Sequence, residues 1–243
     1  LLDLNSLHFS QKNLKGGIVA ESKSSNLGGN CAILAGIAYI IVGITYFTIP
    51  ANQRPNAAPL NEFYASVAGA PGLLQIQYWS FAFAALMGLA VVIAANRFFR
   101  EGNEDLINWV SVMALIGYGL MCTNFIRLVD IIPERAMFFV GAEPEIQKAM
   151  LAANPLPLDP TSILTFGFVG FWILVINFVG KDVEDFPDYL SILGMVVGVL
   201  HIFVALGNLL QMQVLISIAA GLGGIVLGPI WLFWFGMLLK KER

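Results

Sequence analysis

Three polar side chains at helical spacing form the first group that could do chemistry: Asn124, Arg127 and Asp130. Residues three apart lie on one face of a helix, so Arg127 and Asp130 can form an ion pair that lowers the cost of both charges in an apolar environment. In the other interpretation, Arg127 faces an outward-opening cavity and binds an anionic or carbonyl-bearing group, oriented by Asp130 and Asn124. The spacing is compatible with either role.

His201 is the second candidate, because it lies within a long apolar stretch whereas the other histidine, His8, lies near the N-terminus. Its imidazole could ligate haem iron or the magnesium of a chlorophyll-type pigment. Ligation from both sides would require a second histidine, which another copy of the chain could supply. Alternatively, the ring is neutral and hydrogen-bonded to a neighbouring helix. The sequence therefore requires no cofactor, and haem or pigment binding stays an alternative.

Several kinds of chemistry lack the residues they need. No lysine falls within a long apolar stretch, so a retinal Schiff base has no attachment point. The sequence has no Gly-x-Ser triplet, no His-Glu-x-x-His motif, no cysteine pair at metal spacing and no phosphate-binding loop. We therefore expect a protein that is not an enzyme.

The composition is that of a membrane protein. Of the 243 residues, 58% are hydrophobic and 12% charged, whereas soluble domains carry about 25% charged residues. The net charge of −3 gives no electrostatic reason to expect a nucleic-acid partner. The sequence thus predicts a polytopic, all-α membrane protein.

Six membrane-spanning helices must position the polar candidates, because about 20 apolar residues are needed to cross the hydrocarbon core. The charge-free run from Tyr189 to Leu239 is too long for one crossing, and its polar interruption at Gly207–Gln213 predicts a tight turn. One domain, 30–240, follows a tail at 1–29. The predicted spans are 31–49, 77–96, 106–131, 161–180, 189–209 and 214–239.

Two connections between spans have distinct character. Residues 51–76 contain several prolines and predict an irregular segment with a short helical turn near Glu62–Tyr64. Residues 133–160 contain Glu143-Pro144-Glu145, which is typical of the first turn of a helix, and Asn154-Pro155 would end it. We expect a short surface helix there.

Basic residues predict the orientation, since Lys and Arg concentrate on the cytoplasmic side. Three of them, Arg54, Arg135 and Lys148, flank the spans on one side. Both termini are therefore predicted to be cytoplasmic, in a bacterial inner (plasma) membrane. The nine basic residues that flank the spans on the opposite, cytoplasmic side are Lys12, Lys15, Lys23, Arg97, Arg100, Lys181, Lys240, Lys241 and Arg243.

Small residues recur every three or four positions along the spans, which lets helix backbones approach closely in lipid. The fifth span has Ser191, Gly194, Gly198, His201, Ala205 and Asn208 in one such stripe, and the sixth has Ser217, Gly221, Gly224 and Gly228 before a kink at Pro229. Polar side chains share these stripes, so they should face protein. The outer third of the bundle would then collect Tyr46, Asn124, Arg127, Asp130 and Asn208, with His201 beneath. The two cysteines, Cys31 and Cys122, lie at different depths, and no disulfide is predicted.

The segment Phe186-Pro187-Asp188-Tyr189-Leu190, continued by Leu193-Gly194 and Gly198, resembles the segment before the penultimate helix in six-span bacterial membrane proteins of unknown function. The resemblance implies the same architecture over about residues 30–240. It implies no particular activity.

Two functional hypotheses follow. The first is a non-enzymatic accessory or structural subunit that, surrounded by membrane lipid, assembles with a protein partner or into a homo-oligomer through its glycine-rich helix faces. The second is a small-solute carrier or sensor with an outward-facing polar cavity around Arg127. Haem or pigment binding through His201 is a further alternative.

Overall fold

A computed structural model describes residues 4–54, 58–101, 103–153 and 158–241, and within the first helix it describes side chains from Asn26 onward. Within those ranges the chain is helical and has no strand. The helices are α1 (Leu4–Thr48), α2 (Leu60–Gly69), α3 (Gly72–Phe99), α4 (Glu104–Gly141), α5 (Pro144–Ala152), α6 (Phe168–Gly180), α7 (Asp188–Leu209), α8 (Gln213–Ala219) and α9 (Gly228–Lys241).

Three shorter segments complete the helical structure. A 3₁₀ turn covers Ala51–Gln53, and two π-helices cover Ile163–Gly167, directly before α6, and Ala220–Leu227, between α8 and α9. The second π-helix joins α8 and α9 into one continuous span.

All six predicted membrane spans are confirmed as helices long and apolar enough to cross a bilayer. The predicted turn between the fifth and sixth spans is also confirmed. The spans are Asn26–Thr48, Gly72–Phe99, Glu104–Gly141, Ile163–Gly180, Asp188–Leu209 and Gln213–Lys241.

Some helix ends differ from the predicted boundaries because tertiary packing overrides local signals. Helix α4 continues through Pro133 to Gly141 instead of ending near residue 131, since its extension packs against α2. Helix α2 has ten residues where only a turn was predicted. Helix α1 begins at Leu4, inside the segment predicted as a tail. The surface helix α5 is confirmed, whereas Asn154-Pro155, its predicted end, lies outside the described residues.

The six spans form a closed ring in chain order. Helix α1 packs against α3 and α9, α3 against α4, α4 against α6, and α6 against α7, which also contacts the π-helix and α9. We call the end that carries α2 and α5 the α2 end. We call the opposite end, with the 181–187 connection, the Lys181 end.

Glycines set close approaches between neighbouring spans, and the stripe of the fifth span predicted one of them, at Gly198. A Cβ built on Gly198 would lie 2.6 Å from Leu174 N and 2.7 Å from Gly170 O, so α6 and α7 meet backbone to backbone. A Cβ on Gly29 would lie 2.6 Å from Gly236 O, which brings α1 equally close to α9. Helix–helix contact in lipid depends on such close packing.

A buried amide links three helices in the bundle. Asn177 Nδ2 donates to Ile173 O (2.8 Å), and its Oδ1 accepts from Trp231 Nε1 (3.1 Å). Ser191 Oγ donates to Asn177 O (2.6 Å). Gly194 leaves room for this amide, because a Cβ there would overlap Asn177. The network therefore connects α6, α7 and α9.

The small-residue stripe of the sixth span faces the bundle interior, but it brings no neighbouring helix close at Gly221 and Gly224. Ser217 is exposed, and no atom lies within 4 Å of a Cβ built on Gly221 or Gly224. Gly223, outside the predicted stripe, packs on Leu200 instead. The π-helix is the reason, because its wider turn rotates the residues around the helix axis.

An aromatic cluster closes the Lys181 end. Phe186 is buried and its ring lies 5.0 Å from that of Phe99, while Phe235 stacks on Phe99 at 6.0 Å. Four of its neighbours in the connection, Lys181, Asp182, Glu184 and Asp185, are exposed. Both cysteines are free, as predicted.

Substituting Gly198 with alanine should destabilise the bundle. The new methyl group would press on backbone atoms of α6 that cannot rotate away, and overpacking of this kind costs about 1–3 kcal/mol. Gly119→Ala is the matched control, because no atom lies within 4 Å of its Cβ. Thermal unfolding in detergent measures both variants. Equal melting temperatures would contradict the close α6–α7 contact.

The Asn177–Trp231 hydrogen bond should show energetic coupling. Asn177→Leu leaves a buried indole N–H without its acceptor, at a cost of about 1–3 kcal/mol, whereas the double variant with Trp231→Phe has no such unpaired donor. A double-mutant cycle on thermal stability measures the difference. Strict additivity of the two substitutions would argue against the bond.

Candidate functional site

A cavity of about 390 Å³ lies inside the ring, in the half nearer the α2 end. All six spans contribute to its wall, so it occupies the axis of the bundle and not a groove between two helices. It is lined by Tyr39, Val42, Tyr46, Phe47, Gln77, Tyr78, Phe81, Phe125, Phe166, His201, Val204, Gln213, Ile216, Ser217, Ala219, Ala220, Gly221, Gly224 and Ile225.

The wall is apolar and aromatic, with a few polar side chains. Phe81 stacks on Phe125 with ring centroids 4.4 Å apart, and Tyr78 lies 5.9 Å from Phe125. Gln77, Ser217 and His201 bring hydrogen-bonding groups, but no Asp, Glu, Lys or Arg is among the lining residues. A wall of this kind favours an uncharged occupant, since a buried unpaired charge is costly.

A small chamber of about 10 Å³ lies beside the cavity and is lined by Tyr39, Tyr118, His201 and Trp231 among others. It shares Tyr39, His201 and Gly224 with the lining of the larger cavity, so the two spaces are adjacent at these residues. Its volume is close to the minimum of about 10–15 Å³ that one water molecule needs. The chamber thus accommodates a single small polar group beyond the apolar space.

His201 lies at the junction of these two spaces. The side chain is 7% exposed, and its Nδ1 lies 2.9 Å from Val197 O. A carbonyl oxygen can only accept, so Nδ1 carries the proton and Nε2 of the neutral ring keeps its lone pair. The ring lies 6.0 Å from that of Phe166.

Both π-helices border the cavity. Phe166 comes from the one before α6, and Ala220, Gly221, Gly224 and Ile225 come from the one between α8 and α9. Pro229 explains the second, because a proline has no N–H to donate and its ring collides with the carbonyl four residues earlier. The helix widens there, where a kink was predicted, and π-helical turns are frequent at functional sites.

Glycines also create the open space in the wall. Because nothing lies within 4 Å of a Cβ on Gly221 or Gly224, these two positions face the cavity and no helix packs there. The cavity reaches the bundle surface beside them, where Phe47, Gln213 and Ser217 are exposed. Helix α8 packs on α7, whereas α1 packs on the π-helix and α9, so the gap lies between α1 and α8.

The structure brings only two of the predicted site residues to the cavity, Tyr46 and His201. Asn124, Arg127, Asp130 and Asn208 are not among its lining residues. Phe125 is the α4 residue that faces it, and Arg127 lies about 200° further around the helix at about 100° per residue. Arg127 therefore does not line this cavity.

The remaining predicted residues have other environments. In the described part of the chain no ion pair joins Arg127 to Asp130, and Asp130 is exposed. Asn124 Oδ1 is buried without a hydrogen-bond partner among the described residues. Asn208 Nδ2 donates to Ser162 Oγ (3.2 Å) and to Val204 O (3.0 Å), which links α7 to the start of the fourth span.

Sequence reasoning missed most of the wall, including Gln77, Tyr78 and Phe166. Gln77 is a polar residue in an apolar stretch, and this pattern could have indicated its position in the cavity wall. The run Gly221-Leu222-Gly223-Gly224 before Pro229 was the signal for the open segment of the sixth span. Among the described residues, no group of three His, Cys, Asp or Glu side chains could hold a metal ion.

Comparison with known proteins identifies a family. The family described as a domain of unknown function, DUF4386, matches residues 31–236, which include four of the six spans in full and most of the first and the last. No curated protein and no solved structure matches the chain. The predicted resemblance to six-span membrane proteins of unknown function is thereby confirmed, and the chain belongs to the DUF4386 family.

Proposed function

We propose that the protein binds a small, uncharged and mainly apolar molecule inside the membrane, as a carrier or a sensor and not as an enzyme. The cavity on the bundle axis carries this proposal. Its volume of about 390 Å³ falls within the range of about 300–1,000 Å³ that is typical of small-molecule sites. Aromatic walls with a few polar groups are the usual lining of such sites.

The opening between α1 and α8 supports entry from the lipid. At this opening Phe47, which is 68% accessible, offers an apolar side chain to the lipid beside the polar side chains of Gln213 and Ser217. A molecule already dissolved in the bilayer could enter the cavity through this gap. This route fits an apolar ligand better than the water-soluble anion considered for Arg127.

The accessory-subunit hypothesis assigned assembly with a partner to the glycine-rich helix faces. Gly170 and Gly198 contact each other, and so do Gly29 and Gly236, so these glycines are used within the chain. An assembly would need the exposed leucine, isoleucine and phenylalanine side chains, which suit lipid equally well. We therefore prefer the binding proposal to the subunit hypothesis.

We further propose that the α2 end faces away from the cytoplasm, because most basic residues flank the Lys181 end. Cysteine labelling in intact cells tests this orientation, in a variant without Cys31 and Cys122. A membrane-impermeant maleimide should label Glu62→Cys at the α2 end and should not label Asp182→Cys at the Lys181 end; both positions are exposed. The reverse labelling pattern would invert the orientation.

Filling the cavity should weaken binding. In the variant Gly221→Leu/Gly224→Leu, two side chains would enter space that nothing occupies, and neither glycine has a positive φ that would strain a leucine. Binding of 4-methoxybiphenyl to the purified protein in nanodiscs, corrected for partition into empty nanodiscs, should fall at least about tenfold, which corresponds to about 1.4 kcal/mol.

Gly119→Leu is the control for this experiment. It makes the same substitution in another membrane span, at a position with open space that does not line the cavity. The control should bind the probe as the unchanged protein does. Equal binding by the filled variant would place the probe elsewhere and contradict the proposed site.

A further inference from the structure

We infer that His201 Nε2 is the polar anchor of the cavity, and that it accepts a hydrogen bond from a hydroxyl group of the bound molecule. This inference rests on the proposed function and specifies its ligand class: an apolar body that carries an alcoholic or phenolic O–H. The juxtaposition that supports it is a buried imidazole between an aromatic cavity and a chamber that fits one small polar group.

The neighbouring carbonyl group determines which imidazole nitrogen donates a hydrogen bond and which accepts one. Val197 O, 2.9 Å from Nδ1, lies one turn earlier on the same helix and can only accept a hydrogen bond. This contact assigns the proton of the neutral ring to Nδ1. Nε2 is then a hydrogen-bond acceptor. A carbonyl or ether oxygen of a ligand is also only an acceptor, so it cannot form a hydrogen bond with Nε2.

Nε2 has no donor from the protein in the described part of the chain, where Val197 is the only hydrogen-bond partner of the ring. The nearby Tyr39 hydroxyl lies 3.9 Å from Met121 Sδ, toward which it donates. An acceptor that lies among mainly apolar side chains and has no donor costs free energy. A bound molecule that donates an O–H to Nε2 recovers this free energy.

The surroundings favour a hydrogen bond over the binding of a metal ion by several protein side chains. The lining of both spaces contains no cysteine, methionine, aspartate or glutamate, and His201 is the only histidine among these residues. A metal held there would have one protein ligand of the usual kinds. An uncharged hydroxyl needs no more than one acceptor and an apolar enclosure.

The surroundings of His201 also favour uncharged ligands over charged ones. Phe166 and Tyr39 flank His201 in the lining, so the group that reaches Nε2 enters among aromatic rings. A charged head, such as an ammonium or a carboxylate, would be desolvated there without a counter-charge. The ligand class is therefore a neutral aromatic or aliphatic alcohol and not a charged amphiphile.

A matched pair of probes tests the inference: 4-phenylphenol, which has an O–H, and 4-methoxybiphenyl, in which a methyl group replaces that hydrogen. Affinities are measured for the full chain in nanodiscs and corrected for partition into empty nanodiscs. We expect the phenol to bind about threefold to tenfold more tightly than the ether, as one buried hydrogen bond allows.

His201→Phe should remove this preference. It keeps a ring next to Phe166 and deletes Nε2, so the phenol should weaken to the affinity of the ether while the ether is little affected. His8→Phe is the matched control, since it makes the same substitution outside the membrane spans. It should keep the full preference for the phenol.

The outcomes separate the inference from the proposed function. Equal binding of both probes to the unchanged protein would overturn the hydroxyl anchor and leave the cavity as a binding site. Binding of neither probe above the empty-nanodisc level would overturn both. A preference for the phenol that persists in His201→Phe would assign the acceptor to another residue.

A spectroscopic measurement keeps the inference testable if His201→Phe does not fold. With His8→Phe, His201 is the only histidine, so ¹⁵N-histidine labelling reports its ring alone. The Nε2 resonance of the neutral ring should move when 4-phenylphenol is added and stay in place with 4-methoxybiphenyl. An Nε2 resonance that stays in place with both probes would overturn the anchor.

Discussion

The architecture depends on the close approach of helix backbones at glycine. Inside a bilayer the hydrophobic effect does not drive helices together, so packing contacts and hydrogen bonds must do so. Gly29 against Gly236 joins the first and last spans, and Gly170 against Gly198 joins the fourth and fifth. The first of these contacts closes the ring, because α1 and α9 are its two ends.

The same constraint explains where the ring is open. At the Lys181 end, Gly29 meets Gly236 and the rings of Phe99, Phe186 and Phe235 fill the axis. Toward the α2 end, the π-helix displaces Gly221 and Gly224 from helix contacts, and α8 packs on α7 alone among the long helices. The axis is therefore filled at one end and hollow at the other.

Two buried polar side chains show the difference between structural support and recognition. Asn177 has both ends of its amide bonded within the protein, to Ile173 O and to Trp231 Nε1, so it stabilises the bundle. His201 has one nitrogen bonded, to Val197 O, and it lines the cavity. Polar groups in a membrane interior are costly, and the proposed ligand contact gives the second nitrogen of this imidazole a use.

The sequence by itself determined the membrane class, the six spans, the turn at Gly207–Gln213 and the inward direction of His201. These features follow from local composition, from spacing along one helix and from the length needed to cross a bilayer. Only the tertiary structure decided the open packing of the sixth span at Gly221 and Gly224, the extension of α4 past Pro133, the side of α4 that carries Arg127 and the position of the cavity. Each of these depends on how a helix is rotated against partners distant in the chain, and hydropathy along a single helix does not encode that rotation.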